Sequence, residues 1–442
     1  MKMKKTMTMG AMAVALLTAV SCSNEETEIS RGPDGGDQVA LGVSPNLKVD
    51  AGTKAATKSV VGGDAITYDK TDFTDDDSAP GLGVLVTNSG ATGWYTPDGT
   101  EYTGHHVWYL GDEKGGNWIS VKTKGGTFAA TREVPYFLGK TVGRVYAYYP
   151  YNKDLTGSLS SITGESDLKI PVTLLTAGTI DATKNNAKKF WNSGSWGTTT
   201  RSDLVNLSLS TEKDYLYFAA EEGRYVNNGR ADGSTPVIPD ADPDNKNTTN
   251  PGYKINLDMH HAMSMVSFRV YDGGNLSTSD MKFTKFEIKN NTTSGANPFK
   301  VGVGTMSLVD GTIAGPSTTT GMSRTVTNYI LMRQVDPTTG TEGDHAFKST
   351  GTSTSSVNGK TVSKTVSAIV YPTTFGEGEI DVVITLQEGV NPAVEYPVTL
   401  TANEWEANNN YIYTLSAGRN KLTVMDVTVE AWNDNEQEEI PL

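Results

Sequence analysis

The sequence contains one cysteine in 442 residues, Cys22, so no disulfide can form within the chain. Stability must come from a packed core, and a chain of this length can build one. Histidine is scarce as well: His105, His106, His260, His261 and His345 are the five present. None stands at HExxH spacing, and no cysteine pair helps them, so no zinc pattern is offered. A GxSxG elbow, a Walker loop and a dinucleotide fingerprint are all missing, and Gly302-Val303-Gly304 is a lone GxG without weight. No cofactor and no metal are expected, and the chain does not read as an enzyme. Basic charge is in deficit, with 37 Lys and Arg against 51 Asp and Glu and a formal net charge of −14. Contact with a phosphate backbone calls for basic patches, so nucleic acid is not an expected partner. Beyond residue 21 no apolar run approaches about 18 residues, so no later helix spans a membrane. Helical periodicity over twelve or more residues and short-period repeats are both lacking.

The N-terminus is distinctive. Lys2, Lys4 and Lys5 precede an uncharged run that reaches Leu16-Leu17-Thr18-Ala19-Val20-Ser21 and then Cys22. A basic start, a short apolar stretch and a small residue before the cut describe a secretory signal peptide over 1–21. The cysteine resembles that of a bacterial lipobox, where lipid chains such as palmitate are attached. Residues 22–38 then form a lipidated, polar and disordered tether. Removing 1–21 takes away three lysines and no acid, moving the formal charge from −14 to −17, which suits an exported surface. Ser23-Asn24-Glu25-Glu26 resembles an acidic signal for display at the outer face of the outer membrane, and it reads equally as part of the tether.

From residue 39 onward the sequence is β in character. Thr, Ser, Asn, Asp and Gly clusters punctuate short alternating runs, the pattern of an all-β sandwich. Strands are expected at 39–49, 83–87, 142–149, 215–219, 255–259, 265–271, 282–289, 366–371, 380–386, 396–401 and 411–416. The segment 231–252 holds four prolines and an acidic cluster, which sets an N-terminal domain at 39–252 and a C-terminal domain at 253–442. A Ser-, Thr- and Gly-rich stretch at 349–364 is expected as an exposed loop.

Other residues could carry chemistry. Asp240, Asp242 and Asp244 occupy positions one, three and five of a calcium loop, but Asn245 and Pro251 stand where such a loop needs Gly and Glu. A solvated acidic linker is the plainer reading of Asp240 to Asp244. His260 and His261 are consecutive in a strand-like run, so their rings point to opposite faces and make poor shared ligands. Trp94, Trp108, Trp118, Trp191 and Trp196 could form sugar-stacking platforms, which keeps a surface glycan-binding lipoprotein open as the alternative function. Core packing is the plainer account of them. A carboxylate-based glycosidase ranks third, because acids are plentiful but no pair can be singled out.

Several segments in order resemble the fimbrillin family of pilus-building lipoproteins. They begin at the lipobox and include Pro80-Gly81-Leu82-Gly83-Val84-Leu85-Val86, Val145-Tyr146-Ala147-Tyr148-Tyr149-Pro150-Tyr151 and Asp214-Tyr215-Leu216-Tyr217. They continue through Leu257-Asp258-Met259-His260-His261-Ala262-Met263-Ser264-Met265 and Ile369-Val370-Tyr371-Pro372. Tyr411 to Leu415, Gly418-Arg419-Asn420 and Val427-Thr428-Val429-Glu430-Ala431-Trp432 close the series. The resemblance implies two transthyretin-like β-sandwich domains in tandem, without a catalytic centre. It implies a cell-surface fimbrium serving adhesion, reached through an outer-membrane lipoprotein precursor. It also implies that an Arg/Lys-specific protease removes the first strand and that a neighbouring fimbrial subunit fills the groove by strand exchange. A host glycan or protein would be the adhesion partner.

Carried onto this sequence, the removable strand is 39–49, with Val39, Leu41, Val43, Leu47 and Val49 on one face. Lys54 and Lys58 in the small-residue segment that follows are the processing sites; Arg31 lies before the strand, so a cut there would remove only the tether. The donor strand is 422–432, with Leu422, Val424, Val427, Val429 and Trp432. Its apolar phase breaks between Val424 and Met425, which predicts a bulge or bend. The last ten residues contain four acids and would fill an apolar groove poorly, leaving a stalk, tip or anchor subunit open.

Overall fold

The fold is a computed structural model, and it describes residues 38–47, 81–98, 104–111, 118–121, 134–152, 155, 161–181, 185–192, 195–205, 213–218, 224–228, 251–272, 281–334, 347–348, 354–357, 360–363, 365–418 and 421–431. Alternation decides many of the strands. In Lys254–His261 the side chains of Ile255, Leu257, Met259 and His261 turn inward, and Lys169–Leu174 buries Ile170, Val172 and Leu174 in the same rhythm. Other strands are buried on both faces, as in Val366–Val370 and nearly all of Ser264–Asp272. Such strands belong in the middle of a layered β structure, where neighbours cover both sides. Among the described residues there is no α-helix, only a 3-10 turn at Glu165–Asp167. The chain is all-β, and its sheets are those of a β-sandwich.

The first sheet runs in the order Gly42–Leu47, Lys254–His261, Leu216–Phe218, Gly143–Tyr149, Leu82–Asn88, His106–Gly111 and Trp118–Val121. A second sheet centres on Ser264–Asp272, which pairs in parallel with Asn409–Ala417 and antiparallel with Val366–Val370. Leu422–Ala431 closes its edge against Asn409–Ala417. A third sheet runs Val394–Thr399, Ile380–Glu388, Met281–Asn290, Met322–Ile330 and Ala177–Asp181, and a small one joins Lys169–Leu174, Gly302–Ser307 and Ile313–Ala314. The expected strands from 83 onward appear with shifted ends, 39–49 is broken at Leu41 and described as far as Leu47, and 349–364, expected as a loop, instead holds the paired strands Thr354–Val357 and Lys360–Ser363. Gly302-Val303-Gly304, dismissed as a motif, is part of a strand paired with Val172 to Leu174.

Pairing crosses the boundary read at 252 in both directions. Lys254–His261 follows that boundary in sequence yet lies in the first sheet, between Gly42–Leu47 and Leu216–Phe218. Lys169–Leu174 and Ala177–Asp181 precede it yet pair with Gly302–Ser307 and Met322–Ile330. Composition marks loops and turns, whereas sheet membership follows hydrogen bonding, so the two need not coincide.

The cores reflect this sharing. Val84, Val86, Val145, Ala147 and Tyr149 of the first sheet join one buried cluster with Val39, Leu41 and Val43. Leu85, Tyr146 and Tyr148, on the opposite face of the same strands, join a second cluster with Phe268, Phe286, Trp405 and Tyr413. Trp405 is held there by its indole N–H, which donates to the Tyr413 hydroxyl at 3.0 Å, and by Phe375 with ring centroids 4.9 Å apart. Ser267 bonds Ser367 and Asn410, each at 2.7 Å, and so pins three adjacent strands together. Tyr371 performs the corresponding role between sheets: its hydroxyl donates to Gly302 O at 2.7 Å and lies 3.3 Å from Val172 O. A Tyr371→Phe variant removes that donor and leaves buried carbonyls short of a partner, so unfolding in urea should show a loss of about 1–3 kcal/mol.

Candidate functional site

The first strand is held in two ways along its length. Val39–Ala40 pairs antiparallel with Phe137–Leu138. At Leu41 the chain changes partner: the Leu41 amide donates to Tyr136 O at 2.8 Å, and the Tyr109 hydroxyl donates to Leu41 O at 2.9 Å. The Gly42 amide then donates to Tyr253 O at 2.9 Å, and Gly42–Leu47 continues parallel to Lys254–His261. The side chains of Val39, Leu41 and Val43 are 4%, 3% and 8% exposed. They share a cluster with Tyr109, Tyr136, Leu138, Ile255 and Leu257. Each such side chain contributes about 1.5–3 kcal/mol of burial. Gly42–Leu47 is the edge strand of its sheet, and Pro45, which has no amide hydrogen to give, is tolerated there because its outer side needs no partner.

The structure therefore places Val39, Leu41 and Val43 on one buried face, and Leu47 opposite Met259 in the ladder. Val49, Lys54, Lys58 and Cys22 lie outside the described residues. Sequence reading missed Tyr109, Tyr136 and Tyr253, whose polar groups grip the strand. The alternation of Val107 and Tyr109 in His106–Gly111 was the available signal, masked by the neighbouring histidine and tryptophan.

The other end of the chain forms the second element. Leu422–Ala431 runs antiparallel to Asn409–Ala417, with Val424 opposite Leu415 and Asp426 opposite Thr414. Met425 is therefore the extra residue of a bulge, where the phase break predicts one. The bulge brings both halves onto one face: Leu422, Val424, Val427 and Val429 oppose Ala417, Leu415, Tyr413 and Tyr411 in turn. Leu422 is buried and Val424 and Val427 pack against the second cluster, while Met425 and Val429 are 37% and 52% exposed. The outer edge of this strand has no ladder partner among the described residues. Trp432 lies outside them.

The remaining candidates divide between packing and silence. Trp108 is buried and stacks on Tyr151 with ring centroids 5.0 Å apart, while the partly buried Trp94 stacks on His105 at 3.8 Å. Trp118 packs against the first cluster. Nothing is described of the side chains of Trp191 and Trp196, and Asp240, Asp242, Asp244 and His345 lie outside the described residues. His261 is buried and its Nδ1 bonds Asp214 at 3.0 Å, whereas the His260 ring lies tilted against Tyr217 with centroids 5.7 Å apart, so the consecutive rings do point apart. Among the described residues no group of three or more His, Cys, Asp or Glu could hold a metal. His106 shares a 2.8 Å hydrogen bond with the Tyr148 hydroxyl through Nε2. Burial, aided by the adjacent His105, pushes its pKa down to about 4.

Residues 241–432 match the model of a family described as fimbrillin-like. The matched segment begins before Lys254–His261 and ends just beyond Leu422–Ala431. A fimbrial protein of Bacteroides vulgatus aligns with 89% of this chain and 100% of its own at 12% identity and a TM-score of 0.45. The tip fimbrial protein Mfa3 of Porphyromonas gingivalis, with a C-terminal truncation, aligns with 79% of this chain and 93% of its own at 10% identity and a TM-score of 0.33. No curated protein matches the sequence.

Two measurements check these interactions. Leu41→Ala should destabilise the chain by about 2–5 kcal/mol in urea unfolding, because the cavity opens beneath an edge strand. For His106, the folded pKa lies below the unfolded one, so the unfolded state binds the extra proton as pH falls. Its contribution is present above about pH 6.5 and is lost down to about pH 4, a change of about 3 kcal/mol. Stability profiles of the wild type and His106→Gln across that window should converge at the acid end.

Proposed function

We propose that the protein is a structural subunit of a cell-surface fimbrium, exported as a lipoprotein precursor anchored in the outer membrane through Cys22. In this reading it is not an enzyme, and its two sandwich units are transthyretin-like domains in tandem. The observation that carries the reading is the fimbrillin-like match over residues 241–432, and the placement of the first strand supports it. That strand lies at a sheet edge, and its Val39, Leu41 and Val43 side chains fill an apolar cluster. An Arg/Lys-specific protease cutting after Lys54 or Lys58 would free it together with the lipid. The open edge would then present backbone donors and acceptors beside uncovered apolar side chains, which is what strand addition from a neighbouring subunit requires.

The candidate donor is 422–432, and its donation has a condition. The segment is paired along its length with Asn409–Ala417 of its own chain, so it must leave that sheet before it can enter another. Adhesion to a host glycan or protein is the role the assembled fibre would serve. Glycan binding through Trp108 gains no support, because that ring is buried.

Limited digestion of the full chain with a Lys/Arg-specific protease should give a stable product starting at residue 55 or 59, detectable by N-terminal sequencing. Light scattering should then show the product forming polymers. A processed chain that stays monomeric at high concentration would defeat the strand-exchange reading.

A further inference from the structure

Away from both terminal strands, charge gathers around one tyrosine. Arg144 lies in Gly143–Tyr149 and pairs in register with Tyr225, while the Val145 amide donates to Arg224 O at 2.8 Å. The backbone thus fixes two arginines side by side. The Arg144 guanidinium reaches Glu165 Oε1 at 2.5 Å, and the Tyr146 hydroxyl donates to the same oxygen at 2.7 Å. Arg144 also lies 5.6 Å from the Tyr146 ring centroid and 5.5 Å from that of Tyr225. Arg224 is 1% exposed, with its guanidinium carbon 4.8 Å from the Tyr146 ring and 5.6 Å from Phe218. Among the described residues its Nε, Nη1 and Nη2 meet no hydrogen-bond acceptor, and Nε of Arg144 meets none either.

Among the described residues two guanidiniums face one carboxylate, which leaves one buried positive charge without a carboxylate of its own. A buried guanidinium with idle donors is costly, and ring faces offset only part of the loss. Its planar fork suits an oxygen pair of a carboxylate, phosphate or sulfate. We propose that Arg224 and Arg144, lying against Tyr146, form a binding site for one small oxyanion. Glu165, on the short turn Glu165–Asp167 and about one-third exposed, stands at the solvent side and supplies the competing internal carboxylate. The site is independent of strand exchange and does not rest on the fimbrial reading.

The test uses the full chain, with sodium sulfate and sodium phosphate as probes and sodium chloride at matched ionic strength as control. Thermal unfolding of the wild type should show a saturable rise in melting temperature with sulfate or phosphate, as binding to the folded state requires. Calorimetric titration should give one site. Arg224→Met should abolish the saturable component, Arg224→Lys should weaken it about tenfold, and Glu165→Gln should strengthen it. Should Arg224→Met fail to fold, Arg144→Gln is read in the same way and should also lose the response. A wild type without a saturable rise, or variants that keep it unchanged, overturns the proposal. So does a response that appears only when Glu221 and Glu222, which precede Arg224 by three and two positions in the sequence, are both changed to Gln, since the chain's own carboxylate would then be the anion.

Discussion

The first core is closed by a strand that arrives from the far end of its sequence neighbourhood. Gly42–Leu47 pairs with Lys254–His261 across more than two hundred intervening residues, and no disulfide shortens the connection because Cys22 is the only cysteine. Loop-closure entropy makes such a contact late to form. The pairing is parallel, sits at an edge and includes a proline, each of which limits the backbone hydrogen bonds that retain it. Yet the same strand supplies Val39, Leu41 and Val43 to the buried cluster. Little ladder and much apolar burial describe a strand held mainly by the side chains it buries.

Behind that strand the rest of the molecule is tied together by shared elements. Lys254–His261 turns at Ala262 and Met263 into Ser264–Asp272, so one stretch of chain is an inner strand of the first sheet and the central strand of the second. Lys169–Leu174 and Ala177–Asp181 carry the earlier half of the sequence into sheets made mainly by the later half. Tyr371 then fastens the antiparallel pair Lys169–Leu174 and Gly302–Ser307 to the end of Val366–Val370. Loss of the outer strand consequently uncovers a face of a framework that is braced elsewhere.

Much of this was legible where alternation is clean. Ile255, Leu257 and Met259, or Tyr411, Tyr413 and Leu415, announce their inward faces by a period of two, and the phase break at Met425 announces the bulge. The opposed rings of His260 and His261 follow from the same geometry. Elements built from polar or small residues were not legible. Ser195–Val205 carries a run of threonines, Lys169–Leu174 contains Pro171, and Gly302–Ser307 begins with glycines. Lys169–Leu174 and Gly302–Ser307 owe their strand character to each other across the sequence, and Ser195–Val205 owes its own to the adjoining Asn185–Asn192, pairings that local propensity does not encode. The division at 252 was inferred from prolines and acids that mark a connection, not from which sheet each strand joins. For the candidate site, the apolar half was readable in Val39, Leu41 and Val43. The hydroxyl of Tyr109 on Leu41 O was not, since nothing local distinguishes a gripping tyrosine from a packing one.

The two terminal strands share one further property, and it bears on whether one could take the place of the other. The first changes partner at Leu41, between Val39–Ala40 and Gly42–Leu47. The last changes phase at Met425, between Leu422 to Val424 and Asp426 to Ala431. Each is a short half followed by a longer one, with the irregularity after the first few residues. In the first strand the break lets Leu41 stay buried while its carbonyl turns to Tyr109; in the last, the bulge keeps Leu422, Val424 and Val427 on one face. A regular strand would send one half of its apolar residues to solvent in such a groove, because a one-residue slip flips every side chain. Bulges also turn an exposed edge away from indiscriminate pairing, so the irregularity at Met425 keeps the outer edge of the terminal strand quiet in its own sheet.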